Sequence, residues 1–159
     1  MSVAAIATAA CGQPEAPSSL VGPAFVVGGT SFQLDSLPQR VEVRIPFRLV
    51  NATGHTLYLD SCFDRARLER EVGEGVWTSA WADVYACVGE APRAFAPNDS
   101  IVDVLTVTGS LRANTSPRFD IPTDTIWHYR LRFPLLAARQ GPELPVSAQT
   151  VSPTFTILP

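Results

Sequence analysis

Lysine is absent. All twelve basic residues of the 159 are arginine, and the formal net charge is only −3. The arginine bias reads as codon usage in a GC-rich genome, not as chemistry. The arginines are scattered, so there is no basic stripe to neutralise phosphates, and nucleic-acid binding is excluded. The single methionine is residue 1, which excludes a Met-rich copper site. No apolar run reaches the roughly 18 to 20 residues that a membrane-spanning helix needs. GxSxG, HExxH, P-loop and GxGxxG signatures are all missing. Histidine occurs only as His55, in a turn-like stretch, and His128, on the polar side of an alternating run. Both read as surface residues, not as bases or ligands. There is no CxxC, and neither Cys62 nor Cys87 has a histidine within a few residues. Asp60 and Asp64 flank Cys62 without the glycine turn and spacing of a calcium loop. No metal and no cofactor is expected.

Apolar residues make up 46% of the chain, enough for one core, while 14 prolines and 10 glycines interrupt it throughout. Frequent breaks favour many short strands over long helices. The chain divides into a leader over residues 1–10, a tether over residues 11–23 and a domain over residues 24–159. The run Val3-Ala4-Ala5-Ile6-Ala7-Thr8-Ala9-Ala10 ends at Cys11. Small residues before a cysteine resemble the lipobox of bacterial lipoproteins. That resemblance implies a lipid on the Cys11 sulfur, with each buried methylene contributing about 0.8 kcal/mol to membrane attachment. An ordinary export signal and a plain apolar tail are the other readings of this run. Gly12 to Ser19 is small, polar and proline-rich, as a flexible spacer is.

If Cys11 carries the lipid, Cys62 and Cys87 remain as a pair, and an oxidising envelope lets them form a disulfide. Closing that loop is worth roughly 3 kcal/mol in the chain-entropy model.

The clearest strand spans Val41 to Val50. Val41, Val43, Ile45, Phe47 and Leu49 alternate with Glu42, Arg44, Pro46 and Arg48, giving one core face and one wet face. Pro46 lacks a ladder donor, so either the strand lies at an edge or Pro46 sits where no donor is needed. Asn51 to His55 reads as a turn into a strand at Thr56–Leu59. Asp64–Val72 fits a strand or a helix. The strand is preferred because Gly73-Glu74-Gly75 then makes a hairpin into Val76-Trp77-Thr78. As a strand, it points Ala66, Leu68 and Val72 inward, and Arg65, Arg67, Glu69 and Glu71 outward. Pro97 to Ser100 is a second turn, followed by a strand over Ile101–Thr108. Residues 112–123 form a loop. Trp127, Tyr129, Leu131 and Phe133 share one face of the next strand, with His128, Arg130 and Arg132 on the other. Phe155 and Ile157 point inward from a last strand. The Asn-x-Ser/Thr triplets at Asn51, Asn98 and Asn114 read as turn sequences.

Several of these stretches, in order, resemble the immunoglobulin-like domains of small bacterial envelope lipoproteins. They are Arg48–Gly54 running into Leu57-Tyr58-Leu59 and Cys62, then Val76-Trp77, Cys87, Pro97–Ser100, Tyr129-Arg130-Leu131 and Ser152–Ile157. The resemblance covers roughly residues 40–158 and implies an all-β sandwich of about seven antiparallel strands without catalysis. The Cys62–Cys87 separation is too short for the bridge between sheets in antibody domains, which points to a bridge that ties a loop or neighbouring strands. Tyr129 is then either a corner tyrosine bonded back to the backbone or a core tyrosine.

The aromatics are the remaining lead. Trp77 is expected on the core or the disulfide. Trp81 and Tyr85 are the candidate contact residues, on a loop held by Cys62–Cys87, because exposed aromatics on a rigid loop suit sugars or proteins; the other reading is that they simply cover the edge of the core. The reading that results is a monomeric, non-catalytic binding or structural module at the bacterial envelope, facing the periplasm or the surface. Its partner would be an envelope protein or polysaccharide. A proteinase-inhibitor-like sandwich, an enzyme with an unrecognised site, and secretion without an anchor are the alternatives.

Overall fold

The long alternating segment organises the molecule. A computed structural model describes residues 24–60, 65–81, 91–110, 119 and 126–159, and every regular element among them is a β-strand. Strand β4 (Arg40–Val50) buries Val41, Val43, Ile45, Phe47 and Leu49. It pairs antiparallel along its whole length with β9 (Ser100–Ser110), from Arg40 opposite Ser110 to Val50 opposite Ser100. Its other side receives β1 (Phe25–Val27) and β3 (Asp35–Ser36), both antiparallel. β4 is therefore central to its sheet, not an edge.

Pro46 fits there because of where the flanking chain departs. The Gly28 amide donates to the Pro46 carbonyl at 2.8 Å. That bond closes the β1 ladder, and the reciprocal one would need the donor that proline lacks. The approach is close: a Cβ on Gly28 would stand 2.8 Å from Pro46 Cγ. Gly28→Ala is accordingly expected to lower stability by about 1–3 kcal/mol through overpacking, measured as a fall in the urea midpoint at unchanged slope.

Between β1 and β3 the chain crosses to a second sheet. There β2 (Ser31–Gln33) runs parallel to β12 (Phe155–Leu158). The order continues through β10 (His128–Arg132) and β6 (Arg67–Gly73) to β7 (Val76–Trp81), all antiparallel. A small third sheet joins β11 (Leu135–Leu136), β5 (Leu57–Leu59) and β8 (Arg93–Phe95). Side chains of all three sheets meet in one hydrophobic cluster. Phe133, just past β10, touches Phe25 and Phe47 of the first sheet, with ring centroids 6.4 and 6.2 Å away. Tyr129 is a core residue, its ring stacked on Phe155 and tilted against Phe119.

Residues 67–73 are a strand, and Glu74-Gly75 is a tight turn with Gly75 at φ 70°. Two register shifts in the β6–β7 hairpin alter what its side chains meet. Glu71 pairs with Trp77 and Gly73 with Val76, so Val72 is the extra residue of a bulge. It is exposed, contrary to its position in the alternation. Leu68 pairs with Trp81 and Glu69 with Ser79, which makes Ala80 the extra residue of a second bulge. Strict alternation would place Trp77 and Trp81 on one face, and the bulge separates them.

Buried polar groups seal the ends. Asn51 is fully buried, and its backbone joins the turn before β9: its amide donates to Asp99 O and its carbonyl accepts from Asn98 N, each at 2.9 Å. Asn98 adopts the left-handed conformation, φ 66°, as the sequence of that turn anticipates. Beside β10, Ser152 Oγ accepts from Leu131 N at 2.9 Å, and Ser152 N donates to Leu131 O at 2.9 Å.

Candidate binding cleft

The outer face of the five-stranded sheet carries the charges that alternation placed outward. Glu69 holds both Nε and a terminal nitrogen of Arg130 at 2.7 Å, and the two side chains are each only 12% exposed. Arg132 lies 3.6 Å from Glu69 and 3.0 Å from Glu143, which also meets Arg67 at 3.3 Å. His128 pairs with Glu71 at 3.3 Å. Trp77 belongs to this face: the Arg130 guanidinium lies 4.2 Å above its ring. The expectation that Trp77 packs on the core is thus corrected, since β7 turns it outward before the Ala80 bulge. On the other, core-facing side of the sheet, Arg70 covers Trp127, at 3.9 Å. The outer face is a self-satisfied ladder that fastens β6, β7 and β10.

The open side of the molecule differs. A cleft of about 470 Å³ lies beside β9, within the size range of ligand sites. One wall is β9 itself, from Ile101 through Leu105 to Thr106. The floor is apolar and buried: Phe47, Phe133 and Trp81. Arg65, Ala66 and Arg93 line it as well, from outside the β4–β9 pair. Asp103 stands opposite Phe47, in the same alternating series as Leu105 and Val107. A carboxylate there keeps the series open to solvent where a further aliphatic would close it, and Asp103 is exposed. Its Oδ1 accepts from the Val104 amide at 2.7 Å.

Trp81 ends β7 and is 4% exposed, with its indole N–H donating to Thr108 O at 2.8 Å. That bond links an edge of the second sheet to an edge of the first. Trp81 thus meets the cleft as part of its floor, not as a protruding contact on a loop. Tyr85, Cys11, Cys62, Cys87 and Asn114 lie outside the described residues, so the structure describes neither the lipidation nor the disulfide nor the rest of the contact loop. His55 is exposed in its turn, and His128 sits on the opposite face of the five-stranded sheet from the core. The two are not brought together with any cleft residue.

Sequence reasoning passed over Arg93 and Asp103. Asp103 did leave a signal: it is the one charge in the series Ile101, Asp103, Leu105, Val107, where the opposing β4 residues are all apolar. Arg93 left none, because its place depends on how β8 pairs with β5.

No family model, no curated protein and no solved structure matches this chain.

Proposed function

We propose that the chain is a non-catalytic binding module of the bacterial envelope, an immunoglobulin-like sandwich tethered by a lipid on Cys11, and that it holds its partner in the cleft beside β9. The cleft carries this reading: an apolar floor under a polar rim is the composition of a recognition site. The fold reading is supported by strand order. β1-β4-β9 in one sheet and β12-β10-β6-β7 in the other follow the order A-B-E and G-F-C-C′ of immunoglobulin-like domains. The first strand is divided between the sheets, antiparallel to β4 and then parallel to β12. The β11-β5-β8 sheet is an addition to that plan. The tether is supported by the small residues before Cys11 and the spacer after it.

The test is photo-cross-linking in the native cell from the full chain, with a benzophenone amino acid replacing Thr106 at the cleft or Thr78 on the opposite sheet. The expected result is an adduct in the envelope fraction from position 106 alone, lost when Arg93→Glu is added. Recovery of the chain from the cytosol, or equal labelling from both positions, would overturn the reading.

A further inference from the structure

The cleft is bordered by a strand edge that carries no second strand among the described residues. β9 has eleven residues, and among the described residues its only strand partner is β4. The alternation of the β4–β9 ladder leaves the backbone groups of Val102, Val104, Thr106 and Thr108 directed away from β4. Two are already engaged: Thr108 O takes the Trp81 indole, and Val104 N is held by Asp103 Oδ1. The N–H and C=O of Val102 and Thr106, the C=O of Val104 and the N–H of Thr108 have no partner among the described residues. Strand edges of this length are normally blunted by lysine, proline or a very short run. From Ser100 to Ser110 there is no basic residue and no proline, and Val102 is 73% exposed. Among the described residues only the inward Asp103 blunts this edge.

We infer that this edge is the recognition element: the ligand is an extended peptide segment of another protein, apolar at alternate positions and carrying an acidic residue, that adds as a strand to β9. The inference rests on the cleft reading above and specifies its ligand. A strand added to β9 points every second side chain over the floor formed by Phe47, Phe133 and Trp81. Its intervening side chains extend the outer surface of Val102 and Val104. Arg93 has no ion-pair partner among the described residues and lines the cleft apart from the β4–β9 pair, which sets the preference for an acidic residue. A cleft of this volume takes the side chains of one strand, whereas a second copy of the domain brings a whole sheet behind its β9.

The test uses the full chain and a capped octapeptide alternating valine and threonine with one central glutamate. Three derivatives accompany it: one with lysine for glutamate, and one N-methylated on each alternate set of amides. The parent peptide is expected to bind and to slow hydrogen exchange at the Val102 and Thr106 amides by at least about tenfold at saturation. One N-methylated peptide keeps every side chain but loses its ladder bonds, and is expected to bind at least about tenfold more weakly. Arg93→Glu is expected to reverse the preference for glutamate over lysine.

Binding of both N-methylated peptides as tightly as the parent would overturn strand addition while leaving the cleft as a site. Absence of peptide binding with cross-linking from position 106 intact has the same meaning. Loss of both would overturn the cleft reading too. Concentration-dependent dimers in sedimentation that protect the same amides would overturn the choice of occupant in favour of a second copy.

Discussion

Asn51→Asp is expected to destabilise the protein by about 4 kcal/mol, and Asn51→Ala by about 3, although Asn51 is not part of the hydrophobic cluster. The Asn51 amide nitrogen donates to His55 O at 2.9 Å and to Phe95 O at 2.8 Å. Its oxygen accepts from the Thr53 amide at 3.0 Å and the Thr53 hydroxyl at 2.6 Å. One side chain thereby joins the end of β4, the turn into β5 and the end of β8. Alanine removes these bonds and leaves the buried Phe95 carbonyl short of a donor. Aspartate keeps the size and the acceptor but sets a carboxylate oxygen against two carbonyl oxygens, at a fully buried position. In a chain of this length each kcal/mol moves the melting temperature by roughly 2–4 °C, so the Asp variant falls by about 10 °C or more.

A pH series separates the two variants. Burial raises the folded-state pKa of the new carboxyl above its unfolded value. Its charged form is what the fold rejects, so stability is lost as pH rises through that window and recovered as pH falls. Relative to wild type, the Asp variant should therefore improve toward acid pH, where a protonated carboxyl regains a donor, and the Ala variant should not. Calorimetry at pH 7 and pH 5 decides it. A parallel pH response of the two variants would show that the amide is not what holds this junction.

What the sequence disclosed follows from which interactions are local. The alternation from Val41 to Leu49 is a direct image of burial, and all five apolar positions are inside. The polar partners on the other face were equally legible: Glu69 and Glu71 of β6 meet Arg130 and His128 of β10 because antiparallel pairing sets like faces together. Twelve strands are described where about seven were expected, since pieces of two or three residues such as β3 and β1 carry no periodicity. The Ala80 bulge is set by pairing with β6 and by the bond from Trp81 to Thr108, which lies in another sheet. No local pattern in Val76 to Trp81 reports it, and so Trp77 was placed too far in, while Trp81 was left between a contact loop and the edge of the core, where it lies. Asn51 was legible as a turn residue, but its burial depends on Phe95 and Asp99, more than forty residues away. The cleft was the least legible feature, because Arg93 and Asp103 come together only through the pairing of β8 with β5 and of β9 with β4.

Phe133→Ala is the second large effect, and its comparison with Phe155→Ala separates folding from recognition. Both rings are almost fully buried. Phe133 bridges the sheets through Phe25 and Phe47, and its backbone amide is fixed by Thr150 O at 2.8 Å. Phe155 packs edge-on against Phe32, with centroids 5.1 Å apart, and stacks on Tyr129. Truncation of either should cost about 3–5 kcal/mol. The cost at position 133 should fall toward the lower end, because Phe133 is part of the cleft floor and the space it vacates opens to water instead of forming a sealed void. Phe155 is not among the cleft residues, so its loss leaves a closed cavity and the higher cost. Binding should sort them in the reverse order. At a temperature where both variants remain folded, Phe133→Ala removes surface on which ligand side chains rest and should weaken the parent octapeptide by about tenfold, whereas Phe155→Ala should bind it as the wild type does. Equal weakening by both would mean that binding follows global stability, and the cleft floor would lose its place in recognition.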